Sequence, residues 1–253
     1  MTLAATETHL LGGRVRCFQP AKGYRTAIDA VLLAAAVPAN PGERVLDVGT
    51  GVGASAFCLA ARIADVNVVG LELQTPLAQL AQQGIKANEF GARVQILTGD
   101  LLAPPSELEY GSFDHVMTNP PYMPAGKGHP PPDPMKATAM VEGAATLALW
   151  LAFCAGMVKD GGSVTVIHRA DRLDEVLRGL ELQRCGATDV LPVAPIPDAA
   201  AKRVIVRGRK GSDAQTVTHL PLVLHTADMN PSGHRRAYSP AADTILRDAQ
   251  TLL

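Results

Sequence analysis

Short unbroken apolar runs alternate along the chain with longer stretches whose apolar positions recur every three to four residues. Arg44-Val-Leu-Asp-Val48 is a brief run ended by glycines, Ala54 to Ile63 has a helical pattern, and Asn67-Val-Val-Gly-Leu71, closed by Glu72, is a second run. Together they predict a β-α-β unit. A helix over Pro76 to Phe90, the run Val94-Gln-Ile-Leu97 with Gly99-Asp100, and the run Phe113 to Met117 continue the alternation. A long helix around Ala139 to Val158 and a run Ser163 to His168 follow. Strands covered by helices on both faces are apolar throughout, so the pattern predicts an α/β fold built on a parallel sheet. Farther on, Lys202 to Arg207 and Val217 to Leu224 have no helix of useful length between them, and Lys210-Gly-Ser-Asp213 reads as a turn. These two runs are expected to pair as an antiparallel hairpin.

Composition narrows the class. With 253 residues, 47% hydrophobic and 19% charged, the chain has ample material for a core. A formal net charge of −1 lacks a global basic excess, so any nucleic-acid binding must come from local patches. Cys17, Cys58, Cys154 and Cys185 form no Cys-x-x-Cys pair, which suggests neither a zinc knuckle nor a disulfide framework and fits a reducing cytoplasm. The start, MTLAATETHLLGG, does not read as a secretory signal. Ala144 to Val158 is too short to span a membrane comfortably and reads as a buried helix, so no membrane is expected; with the cysteines dispersed, no metal is expected either. Pro124 to Pro134 holds five prolines in eleven residues and is expected to be a stiff loop.

Asp47-Val-Gly-Thr-Gly-Val-Gly53 is a strand end feeding a glycine-rich turn and a helix, which lets backbone N–H groups approach a ligand closely. Gly49-x-Gly51-x-x-Ala54 also satisfies a relaxed dinucleotide fingerprint. Asp47 separates the two readings: an acid at that place repels a pyrophosphate but accepts hydrogen bonds from a cationic amino-acid moiety. Glu72 suits a ribose diol, and Asp100 could accept from an adenine amino group. Each of these carboxylates could instead cap the following helix. Their recurrence after three successive strands favours a ligand.

On these residues the chain resembles the class I S-adenosylmethionine-dependent methyltransferases over roughly residues 22 to 170. The matching pieces are the Asp47-to-Gly53 loop, Glu72, Gly99-Asp100 and Asn119-Pro-Pro-Tyr122, in that order. The resemblance implies a Rossmann-like, seven-stranded mixed sheet of order 3-2-1-4-5-7-6, with helices on both faces, and S-adenosyl-L-methionine as cofactor. It implies one domain over 1–253: an N-terminal arm and helix to residue 40, a cofactor-binding core over 41–170, and a C-terminal hairpin and tail over 171–253. Cofactor contacts are expected from Asp47, Gly49, Thr50, Gly51, Gly53, Glu72, Leu73, Asp100, Leu101 and Asn119. In this superfamily Asn-Pro-Pro-Tyr resembles the signature of enzymes that methylate adenine N6 or a glutamine amide.

The chemistry of that signature is readable from its residues. An exocyclic amine is a poor nucleophile because its lone pair is delocalised into the ring, so it must be held in line with the methyl group. The Asn119 side-chain oxygen and the Pro120 carbonyl can each accept one N–H, Pro120 and Pro121 stiffen the backbone, and Tyr122 offers a face to the base. These four are the catalytic candidates. Gly23-Tyr-Arg-Thr-Ala-Ile-Asp29 carries Thr26 and Asp29 at capping-box spacing. It also resembles the N-terminal motif of bacterial adenine-N6 methyltransferases acting on valine tRNA, which implies cofactor contacts from Tyr24, Arg25, Thr26 and Asp29. The tail Tyr238 to Leu246 resembles the closing helix of those enzymes.

For the acceptor, Lys202, Arg203, Arg207, Arg209 and Lys210, with Arg235 and Arg236, form basic runs of the kind phosphates need; they could also be solvated charges on an edge hairpin. The expectation is N6-methylation of adenine in a structured RNA, a tRNA before other RNAs, by a cytoplasmic enzyme. Methylation of a release-factor glutamine, guanine-N2 or small-molecule methylation, and a catalytically silent cofactor-binding module are the alternatives.

Overall fold

A computed structural model describes residues 3–23, 25–26, 28–124, 126, 131–229 and 236–253. Five parallel strands form the centre of the sheet: β3 (Arg44–Val48), β4 (Asn67–Glu72), β5 (Val94–Thr98), β6 (Phe113–Thr118) and β7 (Val158–Arg169). An N-terminal hairpin precedes them, β1 (Ala5–Leu10) with β2 (Val15–Pro20), followed by α1 (Ile28–Ala36). Helices α2 (Ala54–Arg62) and α3 (Thr75–Ala87) connect the first three sheet strands. Between β6 and β7 lie α4 (Pro134–Met140) and α5 (Leu147–Met157), and α6 (Leu173–Glu181) follows β7.

The central strands run in the order 5-4-3-6-7, each pair parallel, and β9 (Arg203–Lys210) is inserted antiparallel between β7 and β8 (Cys185–Ala194). Seven strands therefore follow the expected order. The sheet itself has nine, because β10 (Val217–Thr218) and β11 (Leu222–Val223) add to its edge. Here the sequence reading is corrected. The hairpin is formed by β8 and β9, while Val217 to Leu224 supplies two short strands that pair in parallel with β8. The chain closes with the small pair β12 (His225–Met229) and β13 (Arg236–Tyr238) and the helix α7 (Pro240–Asp248), capped by the Ser239 hydroxyl.

The long helix expected over Ala139 to Val158 is also two helices. Thr146 caps α5 through its hydroxyl, and Glu142 is drawn into the protein by Arg172 and by the Leu147 N–H, so the chain leaves helical geometry at residues 141–146.

Alternation along each strand builds two cores. Val45, Met117, Ile167 and Ile205 face α1, α2, α3 and α7, while Leu46, Val116, Val166 and Val206 face α5 and α6. Burying each such side chain is worth about 1.5–3 kcal/mol, which fixes strand register, since a one-residue slip would exchange the faces. On the first face the Phe57 ring fills space that two glycines leave open. A Cβ added to Gly53 would lie 2.5 Å from it, and one added to Gly84 in α3 would lie 2.4 Å away. Among the described residues no helix is long and apolar enough to cross a membrane.

Candidate active site

A cleft of about 410 Å³ opens at the C-terminal edge of the parallel strands. In a parallel α/β sheet this edge is where successive loops diverge and leave room for a ligand. The turn after β3 forms its floor. Gly49, Gly51 and Gly53 adopt φ values of 72°, 59° and 83°, the left-handed region that favours glycine. Gly49 and Thr50 donate their N–H groups to the Leu71 carbonyl, binding the turn to β4. The Glu72 carboxylate then accepts from Gly51 N–H and Gln74 N–H, both at 2.8 Å. Each Glu72 oxygen keeps a second acceptor direction, so a ribose diol can still be held there. Burial raises the Glu72 carboxyl against those two bonds.

Asp47 is 2% exposed, accepts the Thr50 hydroxyl at 2.7 Å, and has its carboxyl pushed up to about 7 by burial. A buried acid of this kind is ready for a cationic ligand, which supplies the missing countercharge. Leu73, 54% exposed, and Leu101 give an apolar wall, and Asp100 at the end of the β5 segment accepts from Leu102 N–H. A cationic end, a diol and a flat apolar ring are the ligand features these residues suit.

The opposite wall is Asn119-Pro-Pro-Tyr122, leaving β6. Pro120 and Pro121 are buried and Asn119 is half-buried. The Asn119 Oδ1 has no hydrogen-bond partner although it is shielded from water. An unsatisfied buried acceptor costs about 1–3 kcal/mol, so such an atom at a cleft wall points to a donor brought by a ligand. Tyr122 donates its hydroxyl to Asp29 Oδ2 at 2.7 Å, and Arg203 Nε donates to the same oxygen at 3.0 Å. The Arg203 guanidinium lies 4.6 Å above the Tyr122 ring, and His168 meets that ring edge-on at 5.6 Å. Burial and the Asp29 carboxylate both push the Tyr122 phenol up. Burial and nearby Arg172 push His168 down to about 4, which keeps it neutral.

The N-terminal hairpin carries the third wall. Gln19 is 2% exposed; its side chain takes the Thr26 N–H at 2.8 Å and donates to the Thr8 hydroxyl at 2.9 Å. This holds Arg25, Thr26 and Asp29 at the cleft. Asp29 does not act in a capping box: its carboxylate is directed at Tyr122 and Arg203. Helix α4 covers the fourth side, tied to the other walls by Gln74 Nε2 donating to Met135 O and by Met123 N–H donating to Met140 O.

The cleft thus gathers Arg25, Thr26, Asp29, Asp47, Gly49, Thr50, Gly51, Glu72, Leu73, Asp100, Leu101 and Asn119 to Tyr122. Gly53 stands behind it as the N-cap of α2. Tyr24 and Arg235 lie outside the described residues, Arg236 is described only by its backbone, and much of the Pro-rich loop, residues 125 and 127–130, is likewise outside them. The basic run is not gathered in one place. It is stretched along β9, with Arg203 opposite Arg169 at the cleft end and Arg209 opposite Ser163, six residues or about 20 Å away. Arg207 pairs with Asp189, Arg209 Nε donates to Gly161 O, and Lys210 Nζ donates to Val158 O. Lys202 is exposed beside Arg203. Among the cleft residues that escape a reading of the sequence are Lys136 on α4, Trp150 on α5, and Arg203 as a partner of Tyr122. Trp150, the single tryptophan of the sequence, is the one that carried a signal.

A parallel sheet of order 5-4-3-6-7 with a reversed strand beyond it, and a glycine turn facing an acceptor-bearing loop across one cleft, suit a transferase that uses a nucleoside cofactor. The chain is an S-adenosylmethionine-dependent methyltransferase, and its fold is the one that class I methyltransferases share. Residues 25–147 match the family model of the methyltransferase small domain. The chain is 28% identical over 183 residues to a tRNA1(Val) (adenine(37)-N6)-methyltransferase of Bacteroides thetaiotaomicron, covering 72% of this chain and 75% of that one. It is 28% identical over 208 residues to the protein of the same description from Aeromonas hydrophila, covering 81% and 84%. Among solved structures, a protein of Agrobacterium tumefaciens described as a predicted O-methyltransferase superposes with a TM-score of 0.69 at 25% identity, covering 86% of this chain and 94% of that one. The geranyl diphosphate C-methyltransferase of Streptomyces coelicolor shares the fold, with a TM-score of 0.52 at 13% identity over 72% of this chain and 77% of that one.

Proposed function

We propose that the protein methylates the exocyclic N6 of an adenine in structured RNA, a tRNA in the first instance. One observation carries the reading: the partnerless Asn119 Oδ1 at the cleft wall, next to the rigid Pro120-Pro121 pair. When bound, S-adenosyl-L-methionine supplies an electrophilic methyl group on a sulfonium centre. Asp47 receives the cationic end of the cofactor, Glu72 its diol, and Asp100 with Leu73 and Leu101 its ring. Asn119 Oδ1 and the Pro120 carbonyl accept the two N–H bonds of the amine, which turns its lone pair toward the glycine turn. Tyr122 stacks on the base, a contact worth about 1–3 kcal/mol. No residue need take a proton before transfer, because the nitrogen becomes acidic once it is alkylated.

A base in a loop reaches such a cleft only when extruded from its stack. Lys202 and Arg203, at the cleft end of β9, are the first phosphate contacts in this reading, with Arg25 across the mouth. Arg207, Arg209, Lys210, Arg235 and Arg236 are contacts farther along the RNA. The tRNA-directed relatives support the acceptor class. Incubation with radiolabelled cofactor and total tRNA, followed by nucleoside mapping, tests it: label in N6-methyladenosine is expected. Label in a purified release factor and none in RNA would replace adenine by a glutamine amide.

A further inference from the structure

Strands β3 and β6 end together. Val48 opposite Thr118 is their last registered pair, and beyond it the chain divides into the glycine turn on one side and Asn119 on the other. No backbone ladder spans that divide, so side chains must set the separation of the two loops. Thr118 is fully buried, and its hydroxyl both donates and accepts. It donates to the Val48 carbonyl at 2.9 Å and accepts the Trp150 Nε1–H at 2.6 Å. The same indole presses on the glycine turn: a Cβ at Gly49 would come within 2.8 Å of Trp150 Cζ2. Trp150 therefore touches both loops at the point where they part. It is half-buried, lines the cleft, and stands in the first turn of α5, whose start is fixed by the Thr146 cap and by Glu142.

We infer that Trp150 is a positioning residue for methyl transfer: its Nε1–H, through the Thr118 hydroxyl and the Val48 carbonyl, holds Asn119 at its working distance from the glycine turn. The physical reason is the tolerance of the reaction. An in-line transfer loses about a hundredfold in rate for a misplacement of about 1 Å, and a loop joined to its neighbour through a side-chain relay is open to such a shift. The inference rests on the reading of Asn119 as the acceptor of the amine, but its structural half can be tested without any substrate.

Two changes break the relay. Thr118→Val is nearly isosteric and removes only the hydroxyl; Trp150→Phe removes the N–H together with the Cζ2–Cη2 edge that meets Gly49. Each is expected to lower kcat by about tenfold or more. Both should leave the Kd for S-adenosylhomocysteine within about threefold, and the double variant should be no slower than the worse single, because one relay is broken only once. Additive losses, or a Thr118→Val enzyme with unchanged kcat, would overturn the inference. Because the sequence has one tryptophan, a single indole N–H resonance reports the relay directly. It should exchange slowly in the wild-type protein and at least about tenfold faster in Thr118→Val. Equal exchange in the two would overturn the inference, whichever acceptor the enzyme uses. A wild-type protein that labels a protein and no RNA would refute the adenine reading while leaving the exchange result to stand.

Discussion

Arg203 lies with its guanidinium 4.6 Å above the ring of Tyr122, and both side chains donate to one oxygen of Asp29. Residues 174 positions apart in the chain thereby fix a ring held at its hydroxyl and on one face. Arg203→Ala frees that ring and leaves the buried Asp29 carboxylate short of a partner. The expected result is an acceptor KM raised about tenfold, a cofactor Kd changed by less than about threefold, and a lower melting temperature. Arg203→Lys restores the charge but not the flat guanidinium, so it should fall between. Initial rates with RNA varied at saturating cofactor measure the difference.

Asp47 ties the cleft to pH. Its carboxyl is pushed up to about 7, so the folded protein holds a proton there that the unfolded chain gives up near pH 4. Asp47's favourable contribution to stability is complete below that lower value and is lost as the pH rises through about 7. Asp47→Asn is therefore expected to raise the melting temperature of cofactor-free protein more at pH 8 than at pH 5. A cationic ligand favours the ionised acid. Cofactor affinity of the wild type should accordingly rise between pH 6 and pH 8, with proton release countable by calorimetry in buffers of different ionisation enthalpy.

Asn119→Ala removes an acceptor that has no partner within the protein, so folding stability should change little or improve. The rate should not be spared. A drop in kcat of about a hundredfold or more, with cofactor Kd nearly intact, is expected if the oxygen works mainly in the transition state. Single-turnover rates and equilibrium dialysis of the cofactor together decide it.

Position along β9 predicts unequal electrostatics. Lys202→Ala should weaken RNA binding and lower the magnitude of its salt slope by about 1. Arg209→Ala should do less, because that side chain is about 20 Å from the cleft end and already donates to Gly161 O. Binding measured at several salt concentrations separates them; a larger effect at Arg209 would relocate the RNA path.

The legibility of the chain divides along physical lines. The glycine turn, the strand-end acids and Asn-Pro-Pro-Tyr are readable because their chemistry depends on backbone conformation and local spacing, which sequence encodes directly. Strand β8 escaped because Pro192 interrupts its pattern. In the sheet that proline falls between the stretches paired with β10 and β11, a place where a missing N–H costs little. The N-terminal hairpin escaped because β1 is largely exposed and has no apolar face. Arg203 and Trp150 are tertiary facts: contiguity made the basic run look like a patch, although an extended strand spreads it across the sheet.

Phe57 offers a final consequence. Its one ring occupies the ground of two absent methyl groups, at Gly53 in the glycine turn and at Gly84 on α3. Among homologous chains, an alanine at the site of Gly84 should travel with a smaller side chain at residue 57, so that the history of these positions is written in pairs.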